Sequence, residues 1–245
     1  MKAYTIVGVL AFIIFLYAGL PSLYFRHYSS SVKRKFSSNN SIFLTFDDGP
    51  NPAYTLEILD LLKEYNVKAT FFVVARKAEE HKEIIDRIVE DGHTLAMHSY
   101  SHKSAWLSTP WQTKKDFEKS MSIFNKLGYE IKYFRPPWGV FNGFTQYYSS
   151  KNGLKSIFWT IITEDWNPKA TVDSTVHKIL DNVESGDIIV LHDSNHKDDK
   201  KDAPKNTIKA LETIIPALLK RDFYFKTIAV SYTHLRAHET LSDIV

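Results

Sequence analysis

The sequence predicts an α/β fold, in which helices wrap a mostly parallel sheet that closes into an incomplete or distorted barrel. From Ser41 onward, short apolar segments alternate with amphipathic segments, and this alternation is typical of parallel sheets. A glycine follows four of the helical patterns, at the position where a left-handed residue commonly ends a helix. The chain has 245 residues, 44% of them hydrophobic and 24% charged, so it can bury a sizeable core.

Seven apolar segments predict strands because they are short and bounded by polar or turn-forming residues. In chain order they are Ile42–Phe46, Ala69–Val74, Thr94–His98, Tyr133–Arg135, Ser156–Ile161, Asp187–His192 and Phe223–Ile228. Six segments predict helices, since their apolar residues recur every three or four positions. They are Leu56–Tyr65, Lys82–Asp91, Trp111–Leu127, the weaker Phe144–Ser150, Val172–Val183 and Thr207–Lys220. Seven strands fit a distorted barrel at least as well as an open sheet.

The composition excludes several kinds of site. The chain has no cysteine, which rules out disulfides, cysteine-bound zinc, iron–sulfur clusters and a thiol nucleophile. Any metal must therefore bind to His, Asp or Glu. The net charge is +3, and a run of basic residues precedes the first acidic residue, Asp47, so the body of the chain is nearly neutral. The composition thus gives no support for a nucleic-acid partner.

Residues 1–25 predict a membrane anchor. Between Lys2 and Arg26 lie 23 residues without a formal charge, and about 20 apolar residues in a helix can cross a bilayer. A cleaved or uncleaved signal peptide is the alternative, but no clear small-x-small cleavage site follows, and Tyr17 and Tyr24 resemble interfacial anchors. Residues 26–40 are basic and serine-rich, which predicts a short flexible tether.

Residues 230–245 are predicted to be foreign to the fold. The eleven residues from Val230 to Thr240 resemble the conceptual translation of a transposase sequencing adapter. We therefore interpret residues 230–245 as an artefactual read-through tail, which leaves residues 41–229 as the main domain. His234 and His238, four residues apart, would otherwise be a tempting pair of metal ligands.

Two polar motifs follow predicted strands, at the ends where α/β enzymes place their active sites. Asp47 and Asp48 are adjacent, so one carboxylate can bind a metal while the other handles a proton, although an acidic turn closed by Gly-Pro has the same sequence. His98 and His102 can converge on one cation if the segment turns helically, although incidental pairs with this spacing are common. With Asp48 they supply three ligands and leave positions for water, as in catalytic metal sites.

Three further motifs lie on later segments. Arg135 can orient a carboxylate, while the two prolines that follow stiffen the loop and Trp138 offers a flat face to a sugar. Asp165 and Trp166 follow an aromatic strand, and His192 closes an apolar one. A histidine that closes a strand is commonly structural unless it faces a shared opening with other polar groups.

Taken together, the five motifs resemble those of the polysaccharide deacetylases, the NodB-homology family that is also called carbohydrate esterase family 4. They read Thr-Phe-Asp-Asp-Gly-Pro, His-Ser-x-x-His, Arg-x-Pro-x-Gly, Asp-Trp and Leu-His, in this order. The resemblance runs from about Ile42 to Ile228. It implies the distorted barrel of that family, with seven strand–helix units, preceded in this chain by one transmembrane helix.

The resemblance also implies roles for individual residues. Asp47 would be the general base, held in place by Arg135, and His192 would be the general acid. A divalent metal would bind to Asp48, His98 and His102; it is usually zinc in this family, with cobalt, nickel or manganese as alternatives. The substrate would contact Pro137, Trp138, Asp165, Trp166 and Leu191.

The chain departs from the family pattern at three places. The fourth motif usually begins with an aspartate where this chain has Ile162, so the carboxylate that tunes the acid His192 is either Asp165 or Glu164, or is missing. Trp138 stands where the family often has Tyr or Phe, and Ala96-Met97 replaces the more usual Gly-Asn. None of these changes removes a predicted ligand, base or acid.

The implied activity is metal-dependent removal of N-acetyl groups from a polymer of N-acetyl-hexosamine, in the first place peptidoglycan or a related cell-envelope glycan. O-deacetylation of a polysaccharide such as xylan is an alternative, as is a non-catalytic glycan-binding module, although a binding module needs no proton-transfer pair. We expect a monomer anchored in the cell membrane by one span. Basic residues after the span favour a cytoplasmic body, but large domains often translocate regardless, and we expect the catalytic domain on the extracellular face.

Overall fold

A curved parallel sheet forms the centre of the protein. The computed structural model describes residues 2–194 and 203–231. The strands are β1 (Val32–Lys33), β2 (Ser41–Asp47), β3 (Thr70–Val73), β4 (Thr94–Met97), β5 (Tyr133–Phe134), β6 (Lys155–Ile157), β7 (Ile161–Ile162), β8 (Ile188–His192) and β9 (Tyr224–Phe225). Their order is β1-β6-β5-β4-β3-β2-β8-β7, with β9 beside the start of β2, and all paired strands are parallel. Because β1 and β7 are the two ends of this order, the barrel is open between them, which confirms the predicted distorted barrel.

Helices cover the outside of this sheet and precede it. They are α1 (Lys2–Ile14), α2 (Leu20–His27), α3 (Tyr54–Glu64), α4 (Ala75–Glu80), α5 (Lys82–Glu90), α6 (Pro110–Leu127), α7 (Thr145–Lys151), α8 (Val172–Leu180) and α9 (Ala203–Lys220). Local signals set the ends of α6: Thr109 and Gln112 form a reciprocal capping box, and Gly128 ends the helix with a left-handed φ of 88°. All six predicted helices are present with shifted ends, and α4 was not predicted.

The alternation of side chains along β2 separates two core layers and places the first polar motif. Ile42, Leu44 and Phe46 belong to the large outer core beneath the helices. Phe43 belongs to the smaller core inside the barrel. Since successive side chains point to opposite faces of a strand, Asp47 lies on the inner face and at the end of the strand. This placement brings its carboxylate into the mouth of the barrel.

The predicted strand Ser156–Ile161 is in fact two strands. β6 pairs with β5 and β1 on one side of the opening, whereas β7 pairs with β8 on the other. The chain between them crosses the opening, and the guanidinium of Arg135 donates hydrogen bonds to the carbonyls of Ile157 and Phe158 at 3.4 and 3.2 Å. The side chain therefore satisfies backbone groups that a continuous strand would have paired.

Residues 26–40, predicted to be a flexible tether, are part of the fold instead. β1 adds a strand to the sheet, and the side chain of Phe36 is buried in the inner core. Arg34 donates to the backbone carbonyls of Phe25, Arg26, Ser29 and Val32. The serine-rich composition does not reveal the pairing of β1 with β6 or the burial of Phe36, because these contacts are made with residues distant in the sequence.

The N-terminal residues form a helix that passes from α1 through a π-helical turn, Phe15–Gly19, into α2. From Tyr4 to His27 it has 24 residues and a mean hydropathy of 2.3 in its most apolar window, of which 11% is buried. It is therefore long and apolar enough to cross a membrane, and signal sequences share these properties. The predicted artefactual tail lies outside the described residues from residue 232 onward, as do His234 and His238.

Candidate active site

The carboxylates of Asp47 and Asp48 have different partners. Asp47 ends β2 beside His192 of β8, its partner in the strand register. Asp48 follows with a left-handed φ of 77°, which turns the chain out of the strand. As a result, Oδ1 of Asp47 lies 2.6 Å from the guanidinium of Arg135, whereas Oδ1 of Asp48 faces two imidazoles. The two neighbours can thus perform different tasks, as predicted from the sequence.

Asp48, His98 and His102 form a possible metal site. Oδ1 of Asp48 lies 3.4 Å from Nε2 of His98 and 3.0 Å from Nε2 of His102, and one donor atom from each residue lies within 4.8 Å of the others. Nδ1 of His98 is 2.8 Å from the carbonyl of Arg135, so it donates its proton there. The lone pair of Nε2 is then available to bind a metal ion. One carboxylate oxygen and two imidazole nitrogens match the ligand chemistry of zinc and similar divalent ions. The residues therefore fit the metal that the sequence predicts.

The electrostatics of this site favour an ionised carboxylate. Burial alone would raise the pKa of Asp48, but the neighbouring imidazoles of His102 and His98 hold the pKa of this carboxyl well below its ordinary value. Burial also lowers the pKa of His102, which favours the neutral imidazole. An ionised carboxylate and a neutral imidazole are the forms that bind a metal ion.

Arg135 fixes the orientation of Asp47 from inside the barrel. Its side chain is fully buried, and Nη1 donates to Oδ1 of Asp47 at 2.6 Å and to the hydroxyl of Thr45 at 2.8 Å. The guanidinium also lies over the ring of Phe72, 4.0 Å from its centroid. These contacts engage one oxygen of Asp47, while Oδ2 lies 3.9 Å from Nε2 of His98. The second oxygen thus faces the possible metal site.

His192 and Asp165 form a second polar pair, in which His192 is the strand neighbour of Asp47. Nδ1 of His192 is 2.7 Å from Oδ1 of Asp165, and Oδ2 of Asp165 accepts from the backbone N–H of His192 at 2.9 Å. Thr207 of α9 donates to the same oxygen at 2.7 Å. Burial opposes the charge on His192, but Asp165 raises the pKa of the imidazole to about 9. Its other ring nitrogen, Nε2, is then a proton donor at neutral pH.

These groups share one cavity of about 230 Å³. Asp47, Asp48, His98, His102 and His192 all line it. Trp138, with a φ of 62° and a half-exposed side chain, packs its ring 5.2 Å from that of His102. The ring centroids of Trp166 and His192 lie 4.8 Å apart, in an edge-to-face arrangement. The remaining lining residues are Arg26, Pro136, Gly139, Trp159, Ile162, Glu164 and Val190.

Three predicted substrate contacts do not line this cavity. Leu191 is buried in the outer core, because Val190 and His192 occupy the inner face of β8 and the residue between them points outward. Pro137 lines a neighbouring cavity, and Pro136 takes its place here. Asp165 lies behind His192, where it supplies the carboxylate that the chain lacks at position 162.

Other residues of the site carry no signal in the local sequence. Arg26 lines the cavity although it belongs to the N-terminal helix. Thr207 reaches Asp165 from a helix 42 positions later in the chain. Trp159 was noted only as part of an aromatic segment, yet it lines the cavity and lies 5.7 Å from the guanidinium of Arg135. Only the folded chain brings these three residues to the motifs.

Comparisons with known proteins agree with this geometry. The model of the family "polysaccharide deacetylase" matches residues 34–157. A chitooligosaccharide deacetylase of Sinorhizobium fredii is 32% identical over 211 residues, which are 82% of this chain and 96% of that protein.

Two solved structures resemble most of the chain. The crystal structure of a peptidoglycan N-acetylglucosamine deacetylase superposes with a TM-score of 0.75 at 30% identity, covering 82% of this chain and 92% of that one. A family 4 acetyl xylan esterase from Clostridium thermocellum, in complex with a cobalt ion, superposes with a TM-score of 0.68 at 32% identity, covering 79% of this chain and 90% of that one. Together with the family match and the five motifs, these similarities lead to one conclusion: the chain belongs to the polysaccharide deacetylase family of enzymes.

Proposed function

We propose that the protein is a metal-dependent hydrolase that removes N-acetyl groups from a polymer of N-acetyl-hexosamine, with peptidoglycan as the first candidate. The observation that carries this proposal is that Asp47 and His192 line one cavity with a possible metal site. Arg135 orients the carboxylate of Asp47, whereas Asp165 favours the protonated form of His192, so the two can accept and donate a proton respectively. The names of similar proteins, which include chitooligosaccharide and peptidoglycan deacetylases, support the substrate class.

Asp48, His98 and His102 would hold the metal, for which zinc is our proposal. When bound, a divalent ion polarises the acetyl carbonyl and makes a bound water easier to deprotonate. The donor set also suits cobalt, nickel or manganese. The choice of zinc therefore rests on the resemblance to the family and on the ligand types.

Asp47 acts as the general base. Its Oδ1 is engaged by Arg135, which leaves Oδ2 free to accept a proton from the attacking water. The contact with a buried guanidinium also keeps the carboxylate in one orientation, so the accepting oxygen is held in place before the substrate binds. The hydroxyl oxygen of that water forms the new bond to the acetyl carbon.

His192 acts as the general acid. Asp165 holds Nδ1 and keeps the imidazole protonated, so Nε2 can give its proton to the nitrogen of the departing amine. The C–N bond then breaks, and the products are acetate and a free amino sugar. Without this proton the amine is a poor leaving group, and the tetrahedral intermediate would return to the amide.

The rim of the cavity supplies the remaining contacts. We assign the stabilisation of the oxyanion to the backbone N–H of Trp138, because this residue lines the cavity beside His102. We also assign contacts with the sugar and its acetyl methyl group to Trp138 and Trp166, because both side chains line the cavity.

O-deacetylation is the second candidate function. The similarity to an acetyl xylan esterase, at 32% identity, is the observation that favours it. The same residues would hydrolyse an ester, which needs less help from an acid because its leaving group is better. A purely glycan-binding role is less consistent with the site, because binding alone requires neither Asp47 nor the pair of His192 and Asp165.

The deciding experiment measures acetate release from peptidoglycan, chitooligosaccharide and acetylated xylan side by side. We expect release from an N-acetylated substrate together with new free amines, and no release by the Asp47→Asn variant. New hydroxyl groups on xylan without amines on the other substrates would favour the esterase instead. Binding of all three without acetate release would favour a binding module.

The N-terminal helix supports a further proposal on location. We assign it as a single membrane span, with the catalytic domain on the extracellular face, where an envelope glycan is found. The helix meets the length and hydropathy of a span, and most of its surface is exposed rather than packed in a core.

A further inference from the structure

Several large apolar side chains are exposed on one region of the catalytic domain. They belong to the segment before α6, to its first turn and to the start of α7. Their exposed fractions are 49% for Trp106, 74% for Leu107, 61% for Trp111, 37% for Phe144 and 57% for Tyr147. We call these five residues the aromatic collar. Exposed apolar residues gathered in this way mark an interaction surface, since such residues are normally scattered.

The segments that carry the aromatic collar contact one side of the second half of the apolar N-terminal helix. The hydroxyl of Tyr17 donates to the carbonyl of Ser108 at 2.7 Å, and the carbonyl of Tyr17 accepts from the N–H of Gly143 at 2.8 Å. The indole N–H of Trp106 donates to the hydroxyl of Ser22 at 2.8 Å. The helix and the two segments of the collar are therefore one packed unit, so the position of the helix in a bilayer determines that of the collar.

The length of the free part of the helix places this unit in the bilayer. Residues 4–16 are exposed, whereas contacts with the domain begin at Tyr17. Thirteen helical residues span only about 20 Å, which is less than the ~30 Å of the hydrocarbon core. If the helix crosses the membrane, residues beyond Tyr17 must enter it as well. The collar residues beside them then reach the interface.

The charges around the collar suit an anionic lipid surface. Residues 103–115 and 136–155, which contain the whole collar, have basic residues and not a single Asp or Glu. Lys114 and Lys115 lie 5.1 and 5.7 Å from the ring of Trp111. The helix itself and the segment after it also lack acidic residues up to Asp47. Lysines beside tryptophan and tyrosine are typical of protein surfaces that contact lipid headgroups.

The collar adjoins the catalytic cavity. A second cavity, of about 430 Å³, lies between the helix and Trp106. It shares two lining residues, Arg26 and Gly139, with the cavity that holds the catalytic groups. The two cavities are therefore neighbours, and a molecule beside Trp106 lies close to the cavity that holds Asp47 and His192.

We propose that the aromatic collar lies in the headgroup region of an anionic bilayer and that the active site opens at this membrane surface. The preferred substrate is then an N-acetylated glycan presented at the membrane, rather than one in the distant wall. The statement about the substrate rests on the proposed deacetylase function, whereas the statement about the collar rests only on the proposed membrane span.

The position of the collar can be measured on the full chain. Because the chain has no natural cysteine, Leu107→Cys and Tyr147→Cys each give a single site for a nitroxide label. Leu219→Cys, an exposed apolar position on α9, is the matched control. The protein is reconstituted in vesicles of equal parts phosphatidylglycerol and phosphatidylcholine, and collisions of each label with oxygen and with a neutral nickel chelate are measured.

We expect oxygen to dominate over the chelate at positions 107 and 147, as at a lipid interface, and the chelate to dominate at position 219. The same aqueous ratio at all three positions would overturn the proposal. Protection of positions 107 and 147 from both reagents would overturn it as well, since that result indicates contact with another protein chain.

A second experiment tests the consequence for the substrate. Leu107→Glu and Tyr147→Glu should lower deacetylation of a bilayer-anchored N-acetylglucosamine glycolipid by about tenfold each, as expected when one apolar side chain loses its contact with lipid. Activity on a soluble chitooligosaccharide should stay unchanged, and Leu219→Glu should change neither activity. Equal activity of all variants on the glycolipid would contradict the proposed route of the substrate. If the wild-type chain deacetylates neither substrate, the proposed function fails, and the label experiment still decides the position of the collar.

Discussion

Asp165 forms two hydrogen bonds with His192. Its Oδ1 lies 2.7 Å from Nδ1 of the imidazole, and its Oδ2 accepts from the backbone N–H of the same residue at 2.9 Å. Thr207 donates to Oδ2 and completes the hydrogen bonds of the buried carboxylate. The side chain and the backbone of His192 are thus held by one group. This double contact fixes the ring with Nε2 available to the cavity and stabilises its protonated form.

The first prediction concerns the pH dependence of activity. Because Asp165 raises the pKa of His192 to about 9, the protonated acid is present below this pH and is lost as the pH rises through it. Replacing Asp165 with Asn removes the negative charge, so the alkaline limb of kcat/KM should move toward the ordinary imidazole value of 6.5. Asp173→Asn, on the exposed surface of α8, should leave the limb in place.

The same ion pair links stability to pH. Its contribution to the free energy of unfolding should be full below pH 6.5 and should disappear as the pH rises to about 9. Denaturant unfolding across this range measures the loss, and Asp165→Asn should flatten it. For the activity profile, an alkaline limb of kcat/KM that stays unchanged in Asp165→Asn would show that Asp165 does not raise the pKa of His192.

The second prediction separates the base from the acid. Asp47→Asn and His192→Ala should each lower turnover of an N-acetylated oligosaccharide by about 100-fold or more. On an aryl acetate, His192→Ala should recover most activity, because the aryl oxide leaves without a proton, whereas Asp47→Asn should not recover. Steady-state rates on both substrates give the comparison. Equal losses for His192→Ala on the amide and the ester would refute its role as the acid.

The third prediction concerns the metal. Purified protein should bind about one zinc ion per chain, because Asp48, His98 and His102 place three donor atoms around one position. His102→Ala should lower the bound metal by at least tenfold in elemental analysis, since it removes one of the three. His177→Ala, an exposed histidine on α8, serves as the control. Full metal content in His102→Ala would exclude this assignment.

The fourth prediction concerns packing behind the site. A Cβ atom on Gly49 would lie 2.1 Å from Oδ2 of Asp193, and Thr55 holds this oxygen with a hydrogen bond of 2.6 Å. Gly49→Ala should therefore cost roughly 1–3 kcal/mol and lower the Tm by several degrees. In Gly143→Ala the new atom would meet only the carbonyl of Tyr17 at 3.8 Å, so the Tm should change little. Thermal unfolding of both variants tests this steric explanation.

The fifth prediction concerns the C-terminal tail. If residues 230–245 are read-through, they contribute no evolved packing, and deleting them should leave the Tm unchanged within error. A loss of about 1 kcal/mol would already move the Tm of a domain of this size by a few degrees. Differential scanning calorimetry of the truncated and full chains makes the comparison. A drop of several degrees would show that the tail belongs to the fold.

Much of the site could be predicted because its signals are local. The adjacent Asp47 and Asp48, and the histidines at 98 and 102, lie directly after strands, and parallel strands bring such ends together. The structure confirms that these residues line one cavity with His192. Leu191 was misplaced for an equally local reason, since the alternation of side chains on β8 turns it to the outer core.

The partners of the motif residues could not be predicted with the same certainty. The sequence left open whether Asp165 or Glu164 contacts His192, because the two residues are adjacent in the segment between β7 and α8 and a loop sequence does not show which way each side chain points. In the fold, Asp165 is buried against His192 and Thr207, while Glu164 is exposed at the rim of the cavity. One of the partners of the buried Asp165 thus lies in α9, more than 35 residues further along the chain.

The sequence by itself determined the α/β class, the order of its elements and the residues that carry the chemistry, because hydrophobic periodicity and motif spacing are properties of neighbouring positions. Only the tertiary structure decided that Ser156–Ile161 divides into two strands, that Val32–Lys33 in the predicted tether joins the sheet and that Arg26 lines the active site. Each of these features depends on contacts between distant segments. Such contacts leave no local pattern, because their free energy arises only when the folded chain buries the two segments together.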